Sequence, residues 1–199
     1  MSNRRFKSLR LVFRRASNYQ EVLNFVESLN LLKLYETTGH PGQPVIREVG
    51  WQIDPGLELF YVEEVRTASS FVQVMGDDAE DVEDITRALE IRFSPLTPDE
   101  LVNAVDISAS VEDRAHAVLQ AGLGAPRQFD RRFYERIKAA MESADDHLRE
   151  AGIWAASFPL WDELRTVLEQ IESDDPDKRL KRAAKAILDI GYRKAKRDN

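Results

Sequence analysis

In the second half of the chain a basic residue followed three positions later by a small one recurs at a near-constant interval. The pairs are Arg114/Ala117, Arg149/Gly152 and Lys181/Ala184, spaced 35 and then 32 residues apart. A period of this length constrains the fold more than any other feature, because each repeated helical pair buries its apolar face only by stacking on the next. Small residues at a fixed place in each unit let neighbouring helices approach. The spacing predicts a helical array and names no reaction.

From Val111 onward a helix rich in small residues alternates with a bulkier one: 112–120 then 129–141, 146–157 then 161–171, and finally 177–192. At an offset of 31 the bulkier helices superpose, placing Phe133, Ile137 and Ala140 over Leu164, Leu168 and Ile171. Around the second basic residue the chain reads Asp145-Asp146-His147-Leu148-Arg149-Glu150-Ala151-Gly152. Around the third it reads Asp175-Pro176-Asp177-Lys178-Arg179-Leu180-Lys181-Arg182-Ala183-Ala184. The first copy departs, with Asp113 standing where an aliphatic residue is due before Arg114. An acid, an aliphatic-basic pair and small residues in this order resemble the HEAT-type repeat, across roughly residues 110–190 and about two and a half units. The resemblance implies a curved stack of helix pairs that serves binding, without specifying a ligand.

In HEAT-like stacks the second helix of each pair commonly lines the concave face. The resemblance therefore implies Arg131, Arg132, Lys138, Trp161, Asp162, Arg165 and Glu169 as partner-binding candidates. The same offset sets Arg131 beside Asp162 and Lys138 beside Glu169, so opposite charges are expected to brace adjacent repeats, each exposed pair contributing about 0–1 kcal/mol. Trp154 and Trp161 flank a Phe158-Pro159 turn, where such rings either anchor a partner or pin the turn in the core.

The first half reads differently. Residues 9–13 form a short strand candidate. A helix follows with Ser17 or Asn18 as cap and Gln20 or Glu21 completing a capping box; Tyr19, Val22, Leu23, Val26, Leu29 and Leu32 recur at three and four. Thr38-Gly39-His40-Pro41-Gly42-Gln43-Pro44 is a loop. Three strands follow at 45–53, 57–66 and 70–75, the first two joined by the Asp54-Pro55-Gly56 turn. Val49, Trp51 and Ile53 alternate, as do Leu57, Leu59 and Tyr61, giving each strand one core face. An acid-rich helix at 77–89 completes the order β-α-β-β-β-α. Thr97 as cap, Pro98 and Glu100 then open a helix. The expected fold class is α+β: an antiparallel-sheet domain over residues 1–94 and a helical-repeat domain over 95–199.

Candidate chemistry is sparse. With no cysteine, the chain has no disulfide framework, thiolate metal site or cysteine nucleophile. His40, His116 and His147 lack ligand spacing, and the acids from Asp77 to Asp84 lack the order of a calcium loop, so neither metal nor cofactor is expected. Ser110, Ser157 and Ser173 have no nucleophile-elbow context, and Gly122-x-Gly124 follows a helix and ends in Pro126, unlike a nucleotide loop. No catalytic residue is assigned.

Charge divides the chain. Residues 1–15 carry six basic and no acidic side chains, and residues 178–199 carry nine basic and two acidic, leaving 13 basic against 33 acidic between them. An acidic middle disfavours nucleic acid, which is admitted only through the basic ends. No apolar run reaches the roughly 20 residues of a membrane span, and no apolar segment follows the basic N-terminus as a secretory signal requires, so a cytoplasmic location is expected. The expected function is non-enzymatic protein binding, as an adaptor, inhibitor or immunity-type protein. The alternative is a nucleic-acid protein or enzyme of the DNA-alkylation-repair or bilin-lyase type. Against it, Arg131, Arg132, Arg136 and Lys138 are followed in the next unit by Asp162, Glu163 and Glu169, which break a basic track.

Overall fold

The computed structural model describes residues 5–39 and 45–192. The chain divides into two compact units, residues 1–96 and 97–199. The class is α+β, with an antiparallel six-stranded sheet in the first unit followed by helices. His40, with the rest of loop 40–44, and the basic residues beyond Tyr192 lie outside the described residues.

The first unit runs β1 (Phe6–Lys7), β2 (Leu11–Val12), α1 (Tyr19–Ser28), β3 (Leu32–Thr38), β4 (Val45–Asp54), β5 (Leu57–Glu64), β6 (Ser69–Gly76) and α2 (Ala79–Phe93). The sheet order is β1-β6-β5-β4-β3, with β2 also on β6. Pro55 and Gly56 turn β4 into β5, Gly56 taking φ of 80°, a conformation that glycine adopts without steric cost. Alternation does what period two requires: Val49, Trp51, Leu59, Tyr61, Val72 and Val74 are buried together. Val22 and Val26 of α1 and Val82, Leu89 and Phe93 of α2 join the same core, so both helices cover one face.

Strand β3 corrects the sequence reading. Leu29 and Leu32 were expected to continue the helical stripe, yet α1 ends at Ser28, and Leu29 and Leu32 are 53% and 64% exposed. The cause is a Schellman ending: Asn30 takes φ of 53°, its N–H donates to the Glu27 carbonyl at 3.0 Å, and the Leu31 N–H donates to Val26 at 3.0 Å. Asparagine tolerates this left-handed position, and the chain leaves it extended. The expected capping box at the other end does not form. Asn18 is the N-cap without a side-chain bond to the helix backbone; its Nδ2 donates to the Glu21 side chain at 3.0 Å, while Ser17 donates to Glu63 at 2.6 Å. The strand foreseen at 9–13 is confined to Leu11–Val12, with Leu9 at its edge exposed.

The second unit contains α3 (Pro98–Ile107), α4 (Val111–Gly124), α5 (Arg131–Met141), α6 (Asp146–Ala156), α7 (Asp162–Asp174) and α8 (Lys178–Ile187), the last continued by a wide π turn at Leu188–Tyr192. Helix α3 opens on a full capping box with Pro98 in its first turn: Thr97 Oγ1 accepts from the Glu100 N–H at 3.2 Å, and Glu100 accepts from the Thr97 N–H at 2.9 Å. Helices α4, α6 and α8 pack in one file, α3, α5 and α7 in another, and hairpins α3/α4, α5/α6 and α7/α8 close the files on each other. This frame differs from the sequence pairing, which began the first unit at α4. Helix α4 packs more extensively on α3 than on α5.

Small residues set the spacing between files. A Cβ on Gly122 would lie 2.6 Å from the Ala155 Cα and carbonyl oxygen, and one on Gly152 would lie 2.6 Å from the Met141 nitrogen. Backbone meets backbone there, α4 against α6 and α6 against α5. Helix α4 buries Ala115, Ala117, Val118, Ala121 and Leu123, a largely small-residue surface that only close approach can fill.

Candidate functional site

The recurring basic residue has a definite structural task. Helices α4, α6 and α8 are capped by Ser110, Asp145 and Asp177, whose side chains accept the Asp113, His147 and Arg179 N–H groups at 3.0, 2.9 and 2.7 Å. Four residues after each cap stands the basic side chain. It reaches back to a carbonyl at the end of the preceding helix: Arg114 to Ser108 at 3.4 Å, Arg149 to Ser143 at 2.9 Å, and Lys181 to Ser173 at 2.5 Å. A cation there satisfies an orphan carbonyl and complements the negative end of the helix dipole.

Arg149 does more than this. Its Nε bonds Asp175 at 3.0 Å and its Nη2 bonds Asp146 at 2.6 Å, with the Arg149 and Asp175 side chains only 11% and 5% exposed. Burial acts to lower the guanidinium's pKa, but the bonds to Asp175 and Asp146 outweigh it and the value rises. This buried pair joins α6 to the turn between α7 and α8.

At Arg114 the surroundings differ. An open cleft of about 380 Å³ lies among α3, α4, α5 and the start of α6, with Arg114, Arg136, Asp106 and Ser143 on its walls. Val105, Val118 and Leu148 form its apolar part. Arg136 is held in place by Asp106, Nε to Oδ1 at 3.0 Å with a second bond from Nη2 to Oδ2. Two guanidinium groups and one carboxylate thus line the cleft. The volume lies in the range of small-ligand and side-chain pockets.

The residues singled out from the sequence are not gathered there. Arg131 pairs with Glu135 at 2.7 Å, Lys138 with Glu142 at 2.8 Å and Arg165 with Glu169 at 2.8 Å, each four residues along its own helix. The expected bracing of Arg131 with Asp162 and of Lys138 with Glu169 is replaced by these local pairs, because side chains four apart on one helix are already neighbours. Arg132 ties α5 to α3 through Asp99 and also holds Asp130 at 2.7 Å. Asp162 is exposed in the first turn of α7.

Trp161 is not an accessible anchor. It is 5% exposed, its Nε1 donates to the Arg127 carbonyl at 3.1 Å, and Phe129 meets it edge-on at 5.4 Å between centroids. Tyr192 closes the packing, donating to the Trp161 carbonyl at 2.8 Å. The ring pins the α6–α7 turn.

Arg114, Arg136 and Ser143 are the cleft residues that a search for side-chain constellations passes over. Arg114 was visible as a member of the repeat. Its difference from Arg149 is visible only when the residues around each are compared. His116 and His147 lie on separate helices, α4 and α6, and among the described residues no group of three His, Cys, Asp or Glu side chains is arranged to hold a metal ion. Among those residues no helix is long and apolar enough to cross a membrane. Comparison with protein-family models, with curated proteins and with solved structures finds no match for this chain.

Two caps make the helical unit acid-sensitive. Hydrogen bonds from Arg132, from its side chain first and then its backbone, lower the pKa of Asp130 below 3.8. The Arg179 N–H, with its guanidinium, does the same for Asp177. A carboxylate depressed in the folded state stabilises above its unfolded pKa and loses that contribution as pH falls through it toward the folded value. The urea midpoint is therefore expected to drop below about pH 4, the ordinary aspartate range. An Asp130→Asn/Asp177→Asn double variant keeps the capping geometry without the charge and should show a shallower drop; identical pH profiles would contradict this assignment.

Proposed function

We propose that this chain is a non-enzymatic protein-interaction module in which a short HEAT-like helical stack receives a partner, as an adaptor, inhibitor or immunity-type protein. The observation that carries the proposal is the open cleft of about 380 Å³ in the helical unit, lined by two guanidinium groups together with apolar side chains. A polar rim around an apolar depression is the usual composition of a surface that takes an anchoring side chain. The two files of helices, with small residues at their closest approach, support the repeat reading. A cytoplasmic setting goes with it, one that the cysteine-free, charge-rich composition fits.

The test uses the full chain immobilised and exposed to native lysate, with retained proteins identified by mass spectrometry. Wild type should retain a stoichiometric partner. Ala139→Arg, which adds bulk to the cleft at an exposed helix position, should reduce retention at least tenfold. Failure to retain any protein, or equal retention by the variant, would overturn the proposal.

A further inference from the structure

The two arginines of the repeat stand in equivalent places with unlike neighbours. Six residues before Arg114, Arg149 and Lys181 come Ser108, Ser143 and Asp175, which follow the same 35 and 32 spacing. Their equivalence is structural as well as numerical. Ser143 Oγ accepts the Asp145 N–H at 3.1 Å, and Asp175 Oδ1 accepts the Asp177 N–H at 2.8 Å, each bonding the cap residue two positions on.

Arg149 on α6 therefore bonds the acid of the following unit, Asp175. Arg114 on α4 shares its cleft with the counterpart in its own following unit, and that counterpart is Ser143. The second carboxylate on Arg149 is Asp146, three residues before it; three residues before Arg114 stands Val111. Both acids that hold Arg149 are thus missing around Arg114. Among the described residues Arg114 is paired with no carboxylate; it bonds the Ser108 carbonyl at 3.4 Å. Where the second unit has a buried ion pair, the first has an open cleft.

We infer that the cleft binds a carboxylate on an apolar body, the acid taking at Arg114 the place that Asp175 takes at Arg149. Arg136, already neutralised by Asp106, leaves the Arg114 charge to be met from outside. Val105 and Leu148, with Val118 buried behind them, form the apolar wall that meets the aliphatic part. In the protein partner proposed above this ligand is an Asp or Glu side chain next to an aliphatic residue, and in that respect the inference rests on the protein-binding reading. The guanidinium charge provides the selectivity, since an amide of the same shape offers no matching charge.

The experiment is a titration of the isotope-labelled full chain, followed by amide NMR shifts, with N-acetyl-Asp-Leu amide as probe. Saturable shifts are expected at Arg114, Ser143 and Leu148, with affinity reduced at least tenfold for N-acetyl-Asn-Leu amide and at least tenfold in Arg114→Leu. Ser143→Asp supplies the missing acid internally and should abolish the shifts while raising the thermal midpoint. Should that variant fail to fold, Arg114→Leu at its exposed position still decides the matter. No saturable shift by about 10 mM probe, that is, binding weaker than about −2.7 kcal/mol, would overturn the inference. Equal affinity for the Asn probe would overturn it, and so would inorganic phosphate binding as tightly as the Asp probe. Specific probe binding with no protein retained from lysate would preserve this inference and remove the partner reading. A retained partner that survives Arg114→Leu undiminished would remove this inference alone.

Discussion

Replacing Arg149 with leucine is expected to destabilise the chain by about 3–5 kcal/mol, because it leaves the Asp175 carboxylate buried without its cation. The loss has a second part: the Ser143 and Ala144 carbonyls, bonded by Arg149 at 2.9 and 3.1 Å, lose their donor at the end of α5. Urea unfolding followed by circular dichroism measures it. The Arg149→Leu/Asp175→Leu double variant should recover much of the loss, since replacing both charges with apolar groups removes the uncompensated one. Arg114→Leu, at the exposed equivalent position, should stay within about 0.5 kcal/mol of wild type. A loss below about 1 kcal/mol for Arg149→Leu, or a double variant no better than the single, would contradict the role assigned to this pair.

Gly122→Val should cost about 3 kcal/mol, through steric conflict across the α4–α6 interface. Alanine at a helical position is favoured over glycine by about 1 kcal/mol, so intrinsic propensity argues in the opposite direction. Packing decides against it, because a Cβ there meets the Ala155 backbone at 2.6 Å and backbone cannot rotate away. Gly122→Ala should accordingly be destabilising, and Gly122→Val more so. Adding Ala155→Gly should not restore either variant, since the nearest atoms are the Ala155 Cα and carbonyl oxygen as well as its Cβ. Wild-type stability for Gly122→Ala, or rescue by Ala155→Gly, would show that the helices part at little cost.

These two sites show how far the residues alone speak. The 35 and 32 spacing of the basic residues was legible, and so was the small residue three positions on, because both repeat along the chain. The contact of Arg149 with Asp175 was not, since Asp175 lies 26 positions away and reaches it only through helix packing. The same limit explains the charged stripe. Offsetting the bulkier helices suggested cross-repeat pairs, whereas Glu135, Glu142 and Glu169 offered closer partners within each helix. Beside the Phe158-Pro159 turn Trp161 suited the core better than a surface anchor, and its burial follows from Phe129, Tyr192 and the Arg127 carbonyl meeting it in space.

Sequence by itself determined the α+β class, the Pro55-Gly56 turn, the alternation that buries Trp51 and Tyr61, and the Thr97-Pro98-Glu100 helix start. All of these are local, since propensity, turn chemistry and periodicity act over a few residues. Even local reading missed β3, where one asparagine in a left-handed conformation ended α1 four residues before its apolar stripe did. Only the tertiary structure decided which helices pair, so that α3 joins α4, and which of two equivalent arginines is buried with an acid and which opens on a cleft. That choice depends on side chains brought together from three helices and the turns between them, and long-range packing rather than any local code selects among such meetings.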